Sequence, residues 1–298
     1  MQPRIGVDLG GTKIETVVLD AGSCPVYRHR VATPADDYDR IIDTIATEVG
    51  QAERELGTAA LVGIGTPGAI SPKTGLLRNS NTTVMNGRPF RDDLQRKLGR
   101  EIRIENDANC FALSEALTGA GRGYPVVFGV IIGTGTGGGI VVNGQLLNGP
   151  HAISGEWGHN SLPWWQDSDG SLECYCGKQA CIETFLSGPG LTAGYERRFG
   201  VRKSGEEIRH AAEAGDTGAL AMMDIYCDQL ARSLAHLINI LDPDAIVLGG
   251  GMSNIEAIYS QVPNRLSAYV FSDYVRTPVL RACHGDSSGV FGAAMLWQ

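Results

Sequence analysis

Two stretches of this chain share an order of features that restricts the fold more than any other part of the sequence. In each stretch, a run of β-branched and apolar residues leads into a glycine-rich turn, and a second such run follows. The first stretch spans residues 5–20 around Gly10-Gly11-Thr12-Lys13, and the second spans residues 126–142 around a turn at residues 133–139. β-Branched residues favour strands, and glycine clusters mark the turns between them. The sequence therefore predicts two hairpins of one design, each opening one half of a duplicated chain.

Helix and strand signals alternate through the rest of the chain, which places it in the α/β class. After Asp36-Asp37, apolar residues recur at helical spacing from Tyr38 to Leu56. Further strands are predicted at residues 61–64, 101–104 and 245–248, and further helices at residues 107–119, at residues up to 241 and after Ser287. Regular periodicity is missing from residues 149–187, which carry several polar motifs instead.

Composition and charge exclude several classes of function. The formal net charge is −8 and no basic run is longer than Arg28-His29-Arg30, so nucleic acid is not expected as a partner. No apolar run approaches the roughly 18 residues of a membrane span, so a membrane is not expected either. The seven cysteines follow no disulfide-scaffold pattern, which predicts the reducing cytoplasm as the location.

Both glycine turns resemble nucleotide-binding motifs without matching them. Residues 6–13 have the glycine spacing of a P-loop, but Thr12 precedes Lys13 and a strand follows where that motif requires a helix. The second turn has the glycine spacing of a dinucleotide-binding motif, and a strand follows it too. Ordinary glycine hairpins are the alternative for either turn taken alone.

We interpret the two turns as cradles that bind a nucleotide's phosphates from two sides, because backbone N–H groups at glycines bind anions without obstruction by a Cβ. The threonines of both turns would add hydroxyl donors, and Asp8 is placed to hold Mg²⁺ directly or through water. A third glycine cluster, after the strand at residues 245–248, is placed to contact the adenosine; a tight strand-to-helix connection is the alternative. The predicted ATP-contacting residues are Asp8, Gly10, Gly11, Thr12, Lys13, Gly133, Thr134, Gly135, Thr136, Gly137, Gly249, Gly250 and Gly251.

A candidate catalytic base follows the strand predicted at residues 101–104. Asn106-Asp107 stands at the carboxyl end of that strand, where α/β proteins bind their ligands. A kinase needs a carboxylate that orients the accepting hydroxyl and takes its proton, and Asp107 fits that role. The alternative is that Asp107 only caps the helix at Ala108.

Polar side chains elsewhere favour the catalytic interpretation over the helix cap. Carboxylates and imidazoles recognise paired sugar hydroxyls by hydrogen bonds, and such a site rejects analogues that lack them. We therefore expect a small sugar as the second substrate. The predicted sugar-contacting residues are Gly68, Asn106, Asp107, Glu156, His159 and Glu183.

Four side chains in the irregular segment are of the kind that tetrahedral zinc prefers, namely His159, Cys174, Cys176 and Cys181. The segment between them is polar, and Gly177 permits a tight turn. A loop that cannot bury an apolar face needs another constraint, which a closed four-ligand zinc would supply. We therefore predict structural zinc, with one nitrogen of His159 left for a sugar hydroxyl. Three free thiols in a loop are the alternative.

Five motifs, taken in chain order, resemble those of the ROK family of repressors, open reading frames and kinases. They are Asp8-Leu-Gly-Gly-Thr-Lys13, Glu105-Asn-Asp-Ala-Asn109, Ile132-Gly-Thr-Gly-Thr-Gly137, Gly155-Glu-Trp-Gly-His159 and Cys174-Tyr-Cys-Gly-Lys-Gln-Ala-Cys-Ile-Glu183. The resemblance spans essentially the whole chain. One departure is Ala180, where the family usually has glycine.

The resemblance implies an actin-like, hexokinase-type fold of two ribonuclease-H-like lobes around a central cleft. Residues 1–120, completed by a final helix within residues 286–298, would form the small lobe. Residues 121–285 would form the large lobe with the zinc-binding loop. The resemblance also implies that Asp107 is the catalytic base, that the two glycine turns bind ATP, and that zinc lies on His159, Cys174, Cys176 and Cys181.

Within the family, the chain looks most like the bacterial fructokinases, on motifs such as Gly249-Gly-Gly-Met-Ser-Asn254. This implies transfer of the γ-phosphate of ATP to the 6-hydroxyl of a hexose, with D-fructose expected first. A glucokinase or an N-acetylhexosamine kinase is the alternative. A sugar-responsive repressor is not expected, because only seven residues precede Asp8 where such repressors carry a DNA-reading helix-turn-helix. The resemblance implies a possible homodimer, because family members often form dimers. The sequence itself does not indicate an oligomeric state.

Overall fold

The computed structural model describes residues 2–297 and contains two five-stranded sheets. Its strands, in chain order, are β1 (Arg4–Leu9), β2 (Lys13–Leu19), β3 (Pro25–Ala32), β4 (Leu61–Thr66), β5 (Ala69–Ile70), β6 (Leu77–Arg78), β7 (Arg103–Asn106), β8 (Val126–Ile132), β9 (Thr136–Val142), β10 (Gln145–Leu146), β11 (Ala245–Gly249) and β12 (Val279–Arg281). The sheet orders are β3-β2-β1-β4-β7 and β10-β9-β8-β11-β12, and β5 pairs separately with β6. In the first sheet, β3, β2 and β1 are antiparallel neighbours, and β1, β4 and β7 are parallel neighbours. The second sheet repeats this pattern, with β10, β9 and β8 antiparallel and β8, β11 and β12 parallel. The duplicated design predicted from the two hairpins is confirmed.

Helices within residues 2–297 follow β3, β6 and β7, four helices follow one another between β10 and β11, and one helix follows each of β11 and β12. In chain order they are α1 (Tyr38–Leu56), α2 (Phe90–Leu98), α3 (Asp107–Leu117), α4 (Glu183–Leu186), α5 (Gly188–Phe199), α6 (Gly205–Glu213), α7 (Thr217–Leu241), α8 (Glu256–Leu266) and α9 (Ser288–Ala294). Asp37 caps α1 by accepting a hydrogen bond from the backbone N–H of Arg40 at 3.1 Å. Among the residues described, no helix combines the length and the apolar character needed to cross a membrane.

The strand predicted at residues 101–104 lies two residues further along, as β7. It runs to Asn106, which pairs with Thr66 of β4 and also caps α3, because its Oδ1 accepts from the backbone N–H of Ala108 at 2.9 Å. One residue thus ends the strand and starts the helix without an intervening turn. As a consequence, Asp107 is the first residue of α3.

The second glycine turn is shorter than predicted. It spans residues 133–135, because β9 already begins at Thr136. The later glycines allow close packing instead of turning the chain. A Cβ at Gly138 would lie 2.8 Å from the Phe128 ring, and one at Gly139 would lie 2.8 Å from the Cβ of Ala112 in α3.

Two helices pack on the sheets through glycines. α9 lies against the first sheet, where a Cβ at Gly63 of β4 would be 1.8 Å from the carbonyl oxygen of Ala293. α3 lies against the second sheet, where a Cβ at Gly129 of β8 would be 2.6 Å from the Cβ of Ala112. The two helices also pack on each other. The final helix therefore returns to the first sheet, while the lobe boundaries at residues 120 and 286 stay a prediction.

Apolar side chains cover the sheets and leave the strand ends for polar groups. α1 and α2 contribute residues such as Ile41 and Phe90 to the core of the first sheet, and α7 contributes Tyr226 to that of the second. Part of the predicted site, namely Asp8, Gly68, Asn106, Gly133 and Gly249, lies at or just after the carboxyl ends of β1, β4, β7, β8 and β11, which is where α/β sheets bind ligands.

Gly63→Ala is expected to destabilise the protein by about 3 kcal/mol, the upper end of the usual cost of overpacking, because the added methyl group would overlap a backbone carbonyl of α9. The neighbouring strand leaves no spare room for a shift, because it packs on α9 just as closely. Gly6 of β1 pairs with Gly63, and a Cβ added at Gly6 would lie 2.1 Å from the carbonyl oxygen of Val290 in α9. The measurement is the free energy of unfolding in urea.

Gly50→Ala, inside α1, is the matched control. An added Cβ there would meet only the end of the Arg54 side chain, at 3.5 Å. Because alanine is favoured over glycine inside a helix, this variant is expected to gain about 0.5–1 kcal/mol. A Gly63→Ala protein as stable as the wild type would contradict the close packing of α9 on the first sheet.

Candidate active site

The first glycine turn joins β1 to β2 and presents free backbone donors. The N–H of Gly10 donates to the carbonyl oxygen of Lys13 at 2.9 Å, and the Thr33 hydroxyl donates to the carbonyl oxygen of Gly10 at 2.7 Å. No hydrogen bond to another described residue engages the N–H groups of Gly11 and Thr12. A Cβ at Gly11 would have no neighbour closer than 4.0 Å. Two free N–H groups beside open space form the kind of nest that binds an anion.

The second turn repeats these features at the end of β8. The N–H of Gly133 donates to the carbonyl oxygen of Gly135 at 2.9 Å, and the N–H groups of Thr134 and Gly135 find no acceptor within residues 2–297. The third glycine cluster lies beside this turn, since a Cβ at Gly133 would be 4.0 Å from the backbone nitrogen of Gly251. The structure therefore brings the second and third glycine clusters together.

Two residues assigned to the second cradle lie beyond its tip, so a contact of either with ATP stays a prediction. Thr136 is buried in β9, and its N–H donates to Oε2 of Glu183 at 2.8 Å. A Cβ at Gly137 would lie 3.2 Å from the Cβ of Ala108, so this glycine faces α3. The physical reason is the early start of β9, which places both residues inside the sheet.

Asp8 and Asp107 bring two carboxyl groups together at the ends of β1 and β7. Burial, followed by the charge of Asp107, raises the pKa of Asp8 to about 7. Burial also raises the pKa of Asp107 to about 6, although a 2.8 Å hydrogen bond from the N–H of Ala108 opposes the rise. Two acids with raised pKa values in one place favour either a bound cation or a proton transfer.

Asn106 and Gly68 are joined to each other. The Nδ2 of Asn106 donates to the carbonyl oxygen of Gly68 at 3.1 Å, while its Oδ1 caps α3. Gly68 has a φ of 79°, and a Cβ there would lie 2.2 Å from the carbonyl oxygen of Arg78. The position therefore requires glycine. Both ends of the Asn106 side chain are engaged within the protein, so a direct sugar contact from Asn106 stays a prediction.

Glu156, His159 and Glu183 form one polar group beside the second turn. Burial raises the pKa of Glu156, the neighbouring His159 opposes the rise, and Glu183 adds to it. The charge of Glu156 in turn contributes to the raised pKa of Asp107. The structure therefore brings these three predicted sugar contacts and the candidate base into one neighbourhood. Glu183 also binds the N–H of Thr136, so this acid links the group to the second turn.

A cleft of about 910 Å³ lies between the two halves of the chain. The second half contributes Thr134, Gly135, Tyr175 and Glu183, and the first half contributes a loop within residues 71–87. No motif predicts a place in the site for that loop or for Tyr175. The sequence does carry a signal for the loop, because residues 79–83 are small and polar. In the structure, Asn79 adopts a left-handed conformation with a φ of 59°.

The predicted zinc ligands are brought together as a compact set. The ligand atoms of His159, Cys174, Cys176 and Cys181 all lie within 4.8 Å of one another. The Sγ atoms of Cys176 and Cys181 are 3.7 Å apart, and the Sγ of Cys174 is 3.6 Å from Nδ1 of His159. With zinc–sulfur bonds of about 2.3 Å, ligand atoms of a tetrahedron lie about 3.8 Å apart. The donor set therefore fits zinc.

The fold and the site define a two-substrate kinase. Two nests of free N–H groups can hold the phosphates of a nucleotide, and a group of acids with one imidazole can hold a polyhydroxylated substrate. Asp107 stands close to Asp8 at the first turn, and its helix touches the strand that follows the second turn. This is the arrangement that phosphoryl transfer to an alcohol requires, in which positioning and a nearby carboxylate do most of the work.

Comparisons with known proteins specify this class. The model of the ROK family matches residues 4–298, and the chain belongs to that family. It is 40% identical over 296 residues to the N-acetyl-D-glucosamine kinase of Vibrio atlanticus (strain LGP32), covering 98% of each chain.

Solved structures agree in fold over nearly the whole length. The ROK hexokinase of Thermus thermophilus has a TM-score of 0.88 and 31% identity, covering 98% of this chain and 97% of that one. A ROK family glucokinase from Streptomyces griseus, in complex with glucose and AMPPNP, has a TM-score of 0.79 and 30% identity, covering 99% and 98%. The predicted actin-like, hexokinase-type fold is confirmed. The protein is a sugar kinase of the ROK family that uses ATP, whereas the predicted preference for fructose finds no support in these relatives.

Proposed function

We propose that this protein transfers the γ-phosphate of ATP to the 6-hydroxyl of N-acetyl-D-glucosamine. The observation that carries the reaction type is the location of Asp107, which neighbours Asp8 at the first turn while α3 touches β9 after the second turn. The choice of sugar is supported by the Vibrio atlanticus relative and by others of the same name at 39–41% identity. This sugar belongs to the alternative that the sequence motifs left open.

Asp107 would be the general base of this reaction. A carboxyl group with a pKa of about 6 is ionised at neutral pH and can accept the proton that the 6-hydroxyl loses as the new P–O bond forms. Glu156, His159 and Glu183 would orient the sugar through its other polar groups. Because Glu183 also accepts a hydrogen bond from the N–H of Thr136, it would fix the distance between the sugar and the second phosphate cradle.

The nucleotide would lie across the two nests. The N–H groups of Gly11, Thr12, Thr134 and Gly135 are the free donors for its phosphates within the described chain. Mg²⁺ would be held at Asp8, where two buried acids lie together and favour a cation; it would supply neutralisation of the phosphate charge. The open space at Gly251 supports contact with the adenosine.

Zinc would be structural, because all four of its ligand positions are filled by protein side chains. It would set the orientation of His159 and, through Cys181, the start of α4 at Glu183. A reducing cytoplasm would keep the three thiols available as ligands, which supports that location.

The test is a panel of sugars in a coupled assay of ADP release. We expect the highest kcat/KM with N-acetyl-D-glucosamine, and lower values with glucose, mannose, N-acetylmannosamine and fructose. The 6-deoxy analogue of N-acetyl-D-glucosamine should bind without being phosphorylated, because it lacks the accepting hydroxyl. A higher kcat/KM with fructose would restore the first expectation from the sequence, and no turnover with any hexose would reject the proposal.

A further inference from the structure

Tyr175 stands between two of the zinc ligands and also lines the cleft. It lies between Cys174 and Cys176 in the chain, and it shares the cleft wall with Thr134 and Glu183. The residue is 78% exposed, so little packing restrains its side chain. An exposed aromatic side chain is thus tied at its backbone to the metal loop and lines the cleft that we take as the sugar site.

The hydroxyl of Tyr175 forms a hydrogen bond with the His159 nitrogen that a sugar hydroxyl would need. It lies 2.9 Å from Nε2 of His159, and the two rings meet edge to face with centroids 5.1 Å apart. The other nitrogen, Nδ1, faces Cys174 in the zinc set. When Nδ1 binds a metal, Nε2 must carry the imidazole proton, so it donates and the Tyr175 oxygen accepts.

The hydroxyl of Tyr175 is suited to hold that donor. A tyrosine hydroxyl can both donate and accept a hydrogen bond, so it resembles a sugar hydroxyl in its hydrogen-bonding capacity. His159 has a single N–H left once its other nitrogen is committed, so Tyr175 and a sugar hydroxyl cannot both accept it in full.

We propose that Tyr175 is a substrate-displaced gate, a specificity-determining residue whose hydroxyl holds the Nε2–H of His159 in the empty cleft and yields it to a sugar hydroxyl on binding. This inference rests on the proposed function, because it takes the cleft beside His159 as the sugar site. Part of the energy of sugar binding is then spent on breaking the Tyr175–His159 hydrogen bond. A sugar that does not offer an acceptor at that point would leave the gate in place and bind poorly.

Tyr175→Phe keeps the ring and removes only the competing oxygen. Because a hydrogen bond of this kind contributes about 0.5–1.5 kcal/mol, KM for the sugar is expected to fall about two- to tenfold. The gain should appear in KM and not in kcat, and calorimetric titration with sugar alone should show the same gain in affinity. Tyr274→Phe, at a tyrosine that is 60% exposed and outside the cleft, is the matched control and should show no gain.

Zinc retention separates the gate from a support of the metal site. Both proteins are held with a chelator, and the rate of zinc loss is measured alongside KM. An unchanged or raised KM in Tyr175→Phe overturns the proposal, and so does faster zinc loss without a gain in sugar affinity. The panel of sugars tests the proposed function separately. If another hexose proves to be the substrate, the proposed function fails for N-acetyl-D-glucosamine, and the gate is tested with that hexose in the same two measurements.

Discussion

Asp107→Asn is expected to lower kcat by about 10³-fold, within the 10²- to 10⁴-fold range of general base catalysis, while sugar affinity stays close to that of the wild type. Asparagine has the same shape and keeps an oxygen that can accept from the N–H of Ala108, which now bonds Asp107 at 2.8 Å. The substitution therefore removes the proton acceptor and little else. Turnover is measured under saturating sugar and ATP, and affinity is measured by calorimetry with sugar alone.

The same substitution is also expected to change stability in a pH-dependent way, which is not expected for an exposed helix-capping aspartate. Burial raises the pKa of Asp107 from 3.8 to about 6. The stability gained from the protonated acid is therefore present below a pH of about 3.8 and is lost as the pH rises through about 6. Asparagine is neutral at every pH, so the variant should have an equal or higher Tm at about pH 8, and this difference should disappear at about pH 4.

The pH dependence of the wild type and a surface variant complete this test. Because the base must be ionised, kcat/KM of the wild type should decline as the pH falls below about 6. Asp92→Asn, at an aspartate that is 56% exposed on α2, is the control and should keep normal turnover. Near-normal turnover in Asp107→Asn would instead assign Asp107 to the helix cap, a role that Asn106 already fills in the structure.

Cys176→Ser is expected to abolish stoichiometric zinc binding and to lower both thermal stability and activity. A serine hydroxyl is a poor zinc ligand at neutral pH, and loss of one ligand from a closed set should cost at least about 100-fold in metal affinity. The irregular segment around Cys174 has little apolar packing of its own, so its order depends on the metal. Activity should fall with it, because His159 and Glu183 are positioned by the same loop. Zinc content by elemental analysis and Tm by calorimetry are the measurements.

Cys24→Ser is the matched control for this change. Cys24 is also an exposed free thiol, but it lies between β2 and β3, outside the ligand set. It should keep its zinc, its Tm and its activity. Wild-type protein that contains no zinc after purification without chelators would refute the metal site, and the cysteines would then be free thiols in a loop.

Local patterns predicted most of the secondary structure, and they failed where one residue type has two uses. The apolar spacing of α1 and the continuous apolar run of β8 each have one interpretation, and both elements are found where predicted. Glycines 137–139 were assigned to a turn because glycine usually marks one. In the structure they lie in β9, where the missing Cβ atoms make room for α3 and Phe128. The sequence does not show whether a glycine forms a turn or allows another element to pack closely.

The candidate site divides in the same way. Asp107, Glu156, His159 and Glu183 were predicted because their residue types and spacing form motifs, and the structure brings them together. The loop around Asn79 and the side chain of Tyr175 were not predicted, since neither forms a motif with neighbours in the chain. Their place in the cleft depends on how the two halves pack.

The sequence by itself determined the two hairpins, the family and the four candidate metal ligands, because each depends on residues that are close in the chain or on chemistry that few residue types offer. Only the tertiary structure decided that Glu183 accepts from the N–H of Thr136, that the Tyr175 hydroxyl lies 2.9 Å from Nε2 of His159, and that α9 packs on the first sheet at Gly63. These contacts join segments far apart in the chain, and their geometry is set by the packing of whole helices and sheets. No local pattern of residues encodes that packing.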